Sequence, residues 1–230
     1  MPISRFMRGI FNLRPPKVRN NVTWDVAAVL RKLQTFSPVR NLSLKQLTLK
    51  LVTLLALLAG MRVQSLHLID VRNVVANKNL VKIRFGDLLK QTRPNYQQQE
   101  LCFKGYAPNR GICVCVVMCE YLERTKSLRK DSTSLLLSFV KPHKPVTKDT
   151  IARWLKTMLE MSGIDTSIFT PHSIRAAATS TAKDRGVQMN TIIQTAGWAN
   201  AKTFAVYYEK PIHGGHEGFA RQIQDRIKKK

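Results

Sequence analysis

The sequence predicts a mainly α-helical domain with a small antiparallel β-sheet, an α+β class. Three observations predict it. The leucine-dense stretch SLKQLTLKLVTLLALLAG, residues 43–60, has an N-capping serine at one end and a glycine at the other. Two β-branched runs flank Asn77-Lys78-Asn79 in VRNVVANKNLVKIRFGDLL, the pattern of a hairpin. The last third of the chain reads as a succession of capped, amphipathic helices. With no internal repeat and no long low-complexity segment, one body is expected.

In order along the chain, residues 1–22 read as a basic, proline-interrupted arm or linker, from RFMRGIFNLRPPKVRN. A helix is expected from about Thr23 through TWDVAAVLRKLQTF. The next helix begins after Ser43 and ends at Gly60, and its leucine density places it at the centre of the core. The hairpin follows, and LLKQTRPNYQQQELCFKGY leads through a polar turn into a third short strand. GICVCVVMCEYLERTK returns to helix, and SLLLSF is a short strand candidate. TKDTIARWLKTMLEMSG predicts a capped amphipathic helix stopped by Gly163. Three further helices are expected near 172–184, 188–196 and 201–208. The main domain is thus expected over 23–212, with a C-terminal tail over 213–230.

The charge balance narrows the partners. The chain has 230 residues, with 38 Lys and Arg against 14 Asp and Glu, a formal net charge of +24. Such an excess repels itself unless a polyanion is near, so nucleic acid leads and an anionic membrane surface comes second. The membrane reading is weak, because LVTLLALLAGM lies between Lys50 and Arg62 and is shorter than the roughly 20 residues a span requires. The opening stretch also lacks the apolar core of a secretory signal. Cys113, Cys115 and Cys119 form C-x-C-x3-C, which is not a zinc spacing. With Cys102 they read as reduced, mostly buried thiols, which favours an intracellular setting.

Three places could carry chemistry. In FTPHSIRAAATSTAKDRG, Thr170 is a candidate N-cap and Pro171 suits the first helical position. His172 and Arg175 then share one face of a helix start, where free N–H groups already favour an anion. Arg175 paired with a carboxylate and His172 acting only as a cap explain the same pattern. In LLALLAGMRVQSLHLID, Arg62 follows a buried helix and needs a partner, either Asp70 or an external phosphate. In AGWANAKTFAVYYEKPI, Trp198 follows a glycine, with Tyr207 and Tyr208 a helix length downstream. Such aromatics also serve as plain core.

Taken together, an arginine, a lysine-bearing hairpin, His-x-x-Arg, Gly-Trp and a tyrosine stand in a fixed order. This resembles the catalytic domain of the tyrosine recombinases, the Cre-like and phage-integrase superfamily. SRFMRGIFNLRPP, LLALLAGMRVQSLHLID, LLKQTRPNYQQQELCFKGY, TPHSIRAAATSTA and GWANAKTFAVYYEKPI are most similar to integrases of eukaryotic DIRS-like and Ngaro-like mobile elements. The resemblance covers nearly the whole chain.

It implies a metal-independent enzyme that cleaves and rejoins DNA strands through a 3′-phosphotyrosine link. Arg62 and Arg175 are the implied clamp on the phosphate, with His172 beside them as base or positioning group. Lys90 is the implied hairpin lysine that protonates the leaving oxygen, and Trp198 stands where the family has His or Trp. A tyrosine is the implied nucleophile: spacing from Trp198 selects Tyr207, the mobile-element pattern selects Tyr208, and Tyr208 is preferred. Ser65 stands where many relatives have an acidic residue supporting the first arginine.

The implied partner is double-stranded DNA, with self-assembly to a dimer or tetramer on it. No small-molecule cofactor and no membrane is implied, and the expected address is the nucleus. Arg8, Arg14, Lys17, Arg19, Lys82, Arg84, Arg93, Arg110 and Lys144 are candidate backbone contacts. The resemblance also implies a DNA-clamping N-terminal helical domain beyond this chain. A catalytically inactive, domesticated DNA-binding module of the same fold is the alternative, and a basic RNA-binding protein explains the charge but not the order of groups.

Overall fold

The computed structural model describes residues 2–13, 22–86, 100–198, 201, 204–205 and 208–212. The first element is a helix, α1 (Pro2–Leu13), where the sequence suggested only an arm. Ile3, Phe6, Met7, Ile10 and Leu13 recur at helical spacing, which accounts for the helix, and all five are exposed. The arginines and the downstream Pro-Pro had concealed that periodicity.

Helix α2 (Val26–Thr35) starts two residues after Trp24, and the Asp25 carboxylate caps it by accepting the Ala27 N–H. Helix α3 (Leu44–Leu58) has the full capping box: the Ser43 hydroxyl accepts the Gln46 N–H while the Gln46 side chain accepts the Ser43 N–H. Residues 47–57 of α3 are buried throughout, as their leucine density demands, and the helix packs against α5 (Val114–Thr125), α6 (Lys148–Met161) and α7 (Ser173–Asp184). Gly60 ends the segment at φ +53°, a left-handed conformation that suits glycine. A short helix, α4 (Val63–His67), follows with Arg62 at its N-cap.

Strands β1 (Val74–Asn77), β2 (Leu80–Ile83) and β3 (Leu101–Lys104) form an antiparallel sheet in the order β1-β2-β3. Asn77 opposes Leu80 across the turn and Val81 opposes Phe103. Val81 and Ile83 face the core, and the alternate positions face out, as a half-buried strand requires. SLLLSF is not a strand. Leu135–Leu137 are buried, but the segment makes only isolated bridges, Asp70 to Ser134 and Leu137 to Pro145. The apolar run reflects burial against several elements, which period alone does not separate from a core strand.

Helix α6 is capped by Thr147 and followed by Gly163 at φ +76°, as its sequence predicts. Helix α7 begins at Ser173, later than its cap residues suggested. Thr170 and Pro171 instead form the lead-in turn, their carbonyls accepting the N–H groups of Ser173 and Ile174. His172 occupies the N-cap and makes no side-chain cap bond. Helix α8 (Met189–Ala196) ends at Gly197, φ +65°. Ala201, Phe204 and Ala205 are helical and Tyr208 lies in a turn; the other residues of the helix expected near 201–208 lie outside the described residues.

One large core surrounds α3, and a smaller cluster gathers Ile192, Ala196, Trp198 and Phe204. Trp24 ties the start of α2 to α7 by donating its indole N–H to Ser173 Oγ at 2.8 Å. Next to it, the Thr23 N–H donates to the Pro211 carbonyl at 2.8 Å, within a parallel bridge between Thr23 and Ile212. Cys113 and Cys115 are buried free thiols at the front of α5, Cys119 is half-buried and Cys102 is exposed. No helix among the described residues is long and apolar enough to cross a membrane.

Candidate active site

The site lies where the two cores meet, and Arg175 joins them. Arg175 is 3% exposed. Nη1 donates to the Gly60 carbonyl at 2.6 Å, and Nη2 donates to the Ala196 carbonyl. Both acceptors belong to helix ends, after α3 and in α8, where a cation is favoured. Two of the five guanidinium donors go to these carbonyls, and Nε is buried without a hydrogen-bond partner among the described residues. Burial drives the Arg175 pKa down to about 10; the positive charge of Arg62 pushes the same way, and the Tyr208 phenol opposes it. That repulsion brings the two arginines into one electrostatic neighbourhood. A bound anion would relieve it.

Aromatic rings close the site. The Arg175 guanidinium sits 4.5 Å from the Trp198 ring centroid and 5.4 Å from that of Tyr208. Trp198 and Tyr208 lie 4.6 Å apart, centroid to centroid. The Trp198 indole N–H is buried and finds no acceptor among the described residues, an unmet donor that costs free energy unless a ligand satisfies it. The left-handed turn at Gly197 places Trp198 there directly after α8. The Tyr208 hydroxyl is 3.3 Å from His172 Nε2, and His172 itself is exposed at the front of α7. Either atom can donate, depending on the imidazole tautomer.

The fold therefore gathers Arg62, His172, Arg175, Trp198 and Tyr208 from three stretches of sequence. Lys90 and Tyr207 lie outside the described residues. Asp70, which the sequence offered to Arg62, pairs with Arg72 through two hydrogen-bonded oxygens, and that pairing holds its pKa down at about 2. Ser65, three residues after Arg62, is buried.

Of the candidate backbone cations, Lys82 and Arg84 share Glu100, at 3.1 and 2.5 Å, so part of their charge is already balanced. Arg110 donates to the Lys78 carbonyl. Lys144 is exposed, whereas Arg14, Lys17, Arg19 and Arg93 lie outside the described residues.

Sequence reasoning missed one set of contacts. Ser180 is 3% exposed, donates its hydroxyl to the Tyr208 carbonyl at 2.8 Å and accepts the Lys210 N–H at 3.2 Å. Lys183, one turn further along α7, pairs with Glu209. The only available signal was a run of three hydroxyl residues, Thr179 to Thr181, after the alanines of a helix whose buried face had no reason to be polar.

Comparison with known proteins follows the same lines. The model of the phage integrase family matches residues 28–212. The fold is similar to that of XerA recombinase, with a TM-score of 0.62 and 19% identity over 92% of this chain and 68% of that one. It is also similar to XerH site-specific recombinase bound to difH substrate in a pre-cleavage complex, with a TM-score of 0.61 and 10% identity over 81% of this chain and 49% of that one. XerH in the post-cleavage complex gives a TM-score of 0.62 at 10% identity, over 90% of this chain and 52% of that one. The chain thus spans about half the length of the XerH chains it matches. No curated protein sequence matches it. A mainly helical body with a three-stranded antiparallel sheet is the fold of a tyrosine recombinase catalytic domain. With a family model spanning most of its length and that fold beneath it, the chain belongs to the phage integrase family.

Proposed function

We propose that this chain breaks and rejoins DNA strands, with Tyr208 as the nucleophile on a backbone phosphate. The observation that carries the reading is the Tyr208 hydroxyl 3.3 Å from His172 Nε2, beside the buried Arg175 guanidinium. A phenol is a weak nucleophile until its proton leaves, and an adjacent imidazole can accept that proton as the oxygen attacks. Arg62 and Arg175 stabilise the negative charge that grows on the non-bridging oxygens, each donor being worth roughly 3 kcal/mol at the transition state. The unmet Trp198 N–H is a third donor, and its ring keeps water from the phosphate.

The attack forms a tyrosyl–phosphorus bond and breaks the bond from phosphorus to the 5′ oxygen, which needs a proton. Lys90 is the proposed source of that proton. The reverse attack by a 5′ hydroxyl restores the phosphodiester, so joining requires no external energy source. Double-stranded DNA is the proposed partner, which the net charge of +24 supports. XerH was captured with its difH substrate before and after cleavage, and that likeness supports assembly on a DNA site here. The finer likeness to DIRS-like and Ngaro-like integrases is part of the same proposal.

The test is a nicked suicide duplex, on which cleavage releases a short strand and traps the covalent adduct. Wild type and Tyr207→Phe are expected to form the adduct, and Tyr208→Phe is expected to form none. Loss in Tyr207→Phe alone moves the nucleophile by one residue. No adduct from wild type overturns the enzymatic reading in favour of a DNA-binding module.

A further inference from the structure

We infer that Ser180 is a positioning residue for the nucleophile, holding the backbone of residues 208–210 at a fixed distance from the phosphate clamp. The inference rests on the proposed role of Tyr208. Three observations carry it. The Ser180 hydroxyl is buried and bridges two backbone groups, the Tyr208 carbonyl at 2.8 Å and the Lys210 N–H at 3.2 Å. The Lys183–Glu209 ion pair grips the residue between them. Ser180 and Lys183 stand on α7, the helix that carries Arg175 and follows directly from His172.

The physical need is clear at the tyrosine. The N–H groups of Tyr208 and Glu209 both bond back to the Phe204 carbonyl, at 2.8 and 2.9 Å, so Tyr208 ends a helical turn. Carbonyls at a helix end have no partner within the helix. Ser180 supplies one from outside, and by accepting from Lys210 it also fixes the direction in which the chain leaves. One rigid helix therefore sets both the charge clamp and the origin of the attacking side chain. A displacement of about 1 Å between reacting groups can cost on the order of a hundredfold in rate.

The experiment uses the whole chain and compares wild type, Ser180→Ala and Ser180→Thr. Single-turnover adduct formation on the nicked duplex gives the chemical rate, equilibrium binding to the uncleavable duplex gives affinity, and hydrogen exchange reports on residues 204–212. Ser180→Ala is expected to slow adduct formation by about tenfold or more, leave affinity within about twofold, and speed exchange in 204–212 but not in α7. Ser180→Thr, which keeps the hydroxyl, is expected to restore the rate.

A Ser180→Ala rate equal to wild type overturns the inference alone. So does a loss matched by an equal loss of affinity, or one that threonine fails to rescue. A wild type that forms no adduct overturns the functional reading, and the inference with it.

Discussion

Arg175 shows why a site residue can also be a structural one. Its bonds to the Gly60 and Ala196 carbonyls hold two helix ends together, while the same guanidinium packs against the rings of Trp198 and Tyr208. Arg175→Ala is therefore a poor probe, because lost activity and lost packing arrive together. Trp198 separates the two more cleanly. Trp198→Phe keeps a ring over the guanidinium and removes only the unmet N–H and some volume. Adduct formation is expected to fall by about tenfold to a hundredfold with duplex affinity unchanged, measured by single-turnover cleavage and equilibrium binding. An unchanged cleavage rate assigns Trp198 to packing alone. His-x-x-Arg and Gly-Trp were legible in the sequence because their spacing is local. The carbonyls that hold Arg175, and Ser180's hold on 208–210, were not: each pairs groups more than twenty residues apart, and one side of each pair is backbone, which leaves no mark on residue type.

At the scale of elements, capping chemistry made α3 and α6 readable nearly to the residue, and the Asn-Lys-Asn turn made the hairpin so. Helix α1 was hidden by its charges, and the 135–137 segment imitated a strand because it is buried on several sides. The central helix also carries an anomaly that hydropathy alone does not reveal. Lys50 is fully buried, and its Nζ donates to the carbonyls of Leu33 and Phe36, at the end of α2. A cation there complements the helix C-terminus, yet burial lowers its pKa from 10.5 to about 8. Between those values the unfolded chain holds more protons than the folded one, so this group adds stability as pH rises from about 8 to 10.5 and withholds it below. Urea denaturation across that range is expected to show wild type gaining stability relative to Lys50→Met. A constant difference between the two refutes a depressed lysine.

For the molecule as a whole, charge is the dominant quantity. Of the 14 acidic residues, Glu100 is shared by two cations, and Asp70, Glu160 and Glu209 each pair with one. The surplus of 24 positive charges exceeds what the carboxylates can neutralise, which makes the proposed DNA affinity a counterion-release problem. Binding to duplex DNA is expected to weaken by about a thousandfold between roughly 50 and 200 mM salt, as for a protein touching about six phosphates. Fluorescence anisotropy across that range checks it, and a change below about tenfold refutes the electrostatic footprint.

The bond from Thr23 to the Pro211 carbonyl has a consequence of another kind. It joins groups almost the full length of the body apart, so closing that circuit carries the largest loop entropy of any contact described. Pro211 also leaves the ribosome long after Thr23 does. A nascent chain thus carries α3 and α7 before the segment that follows Tyr208 can be tied back to Thr23, so this contact is among the last that the body can close.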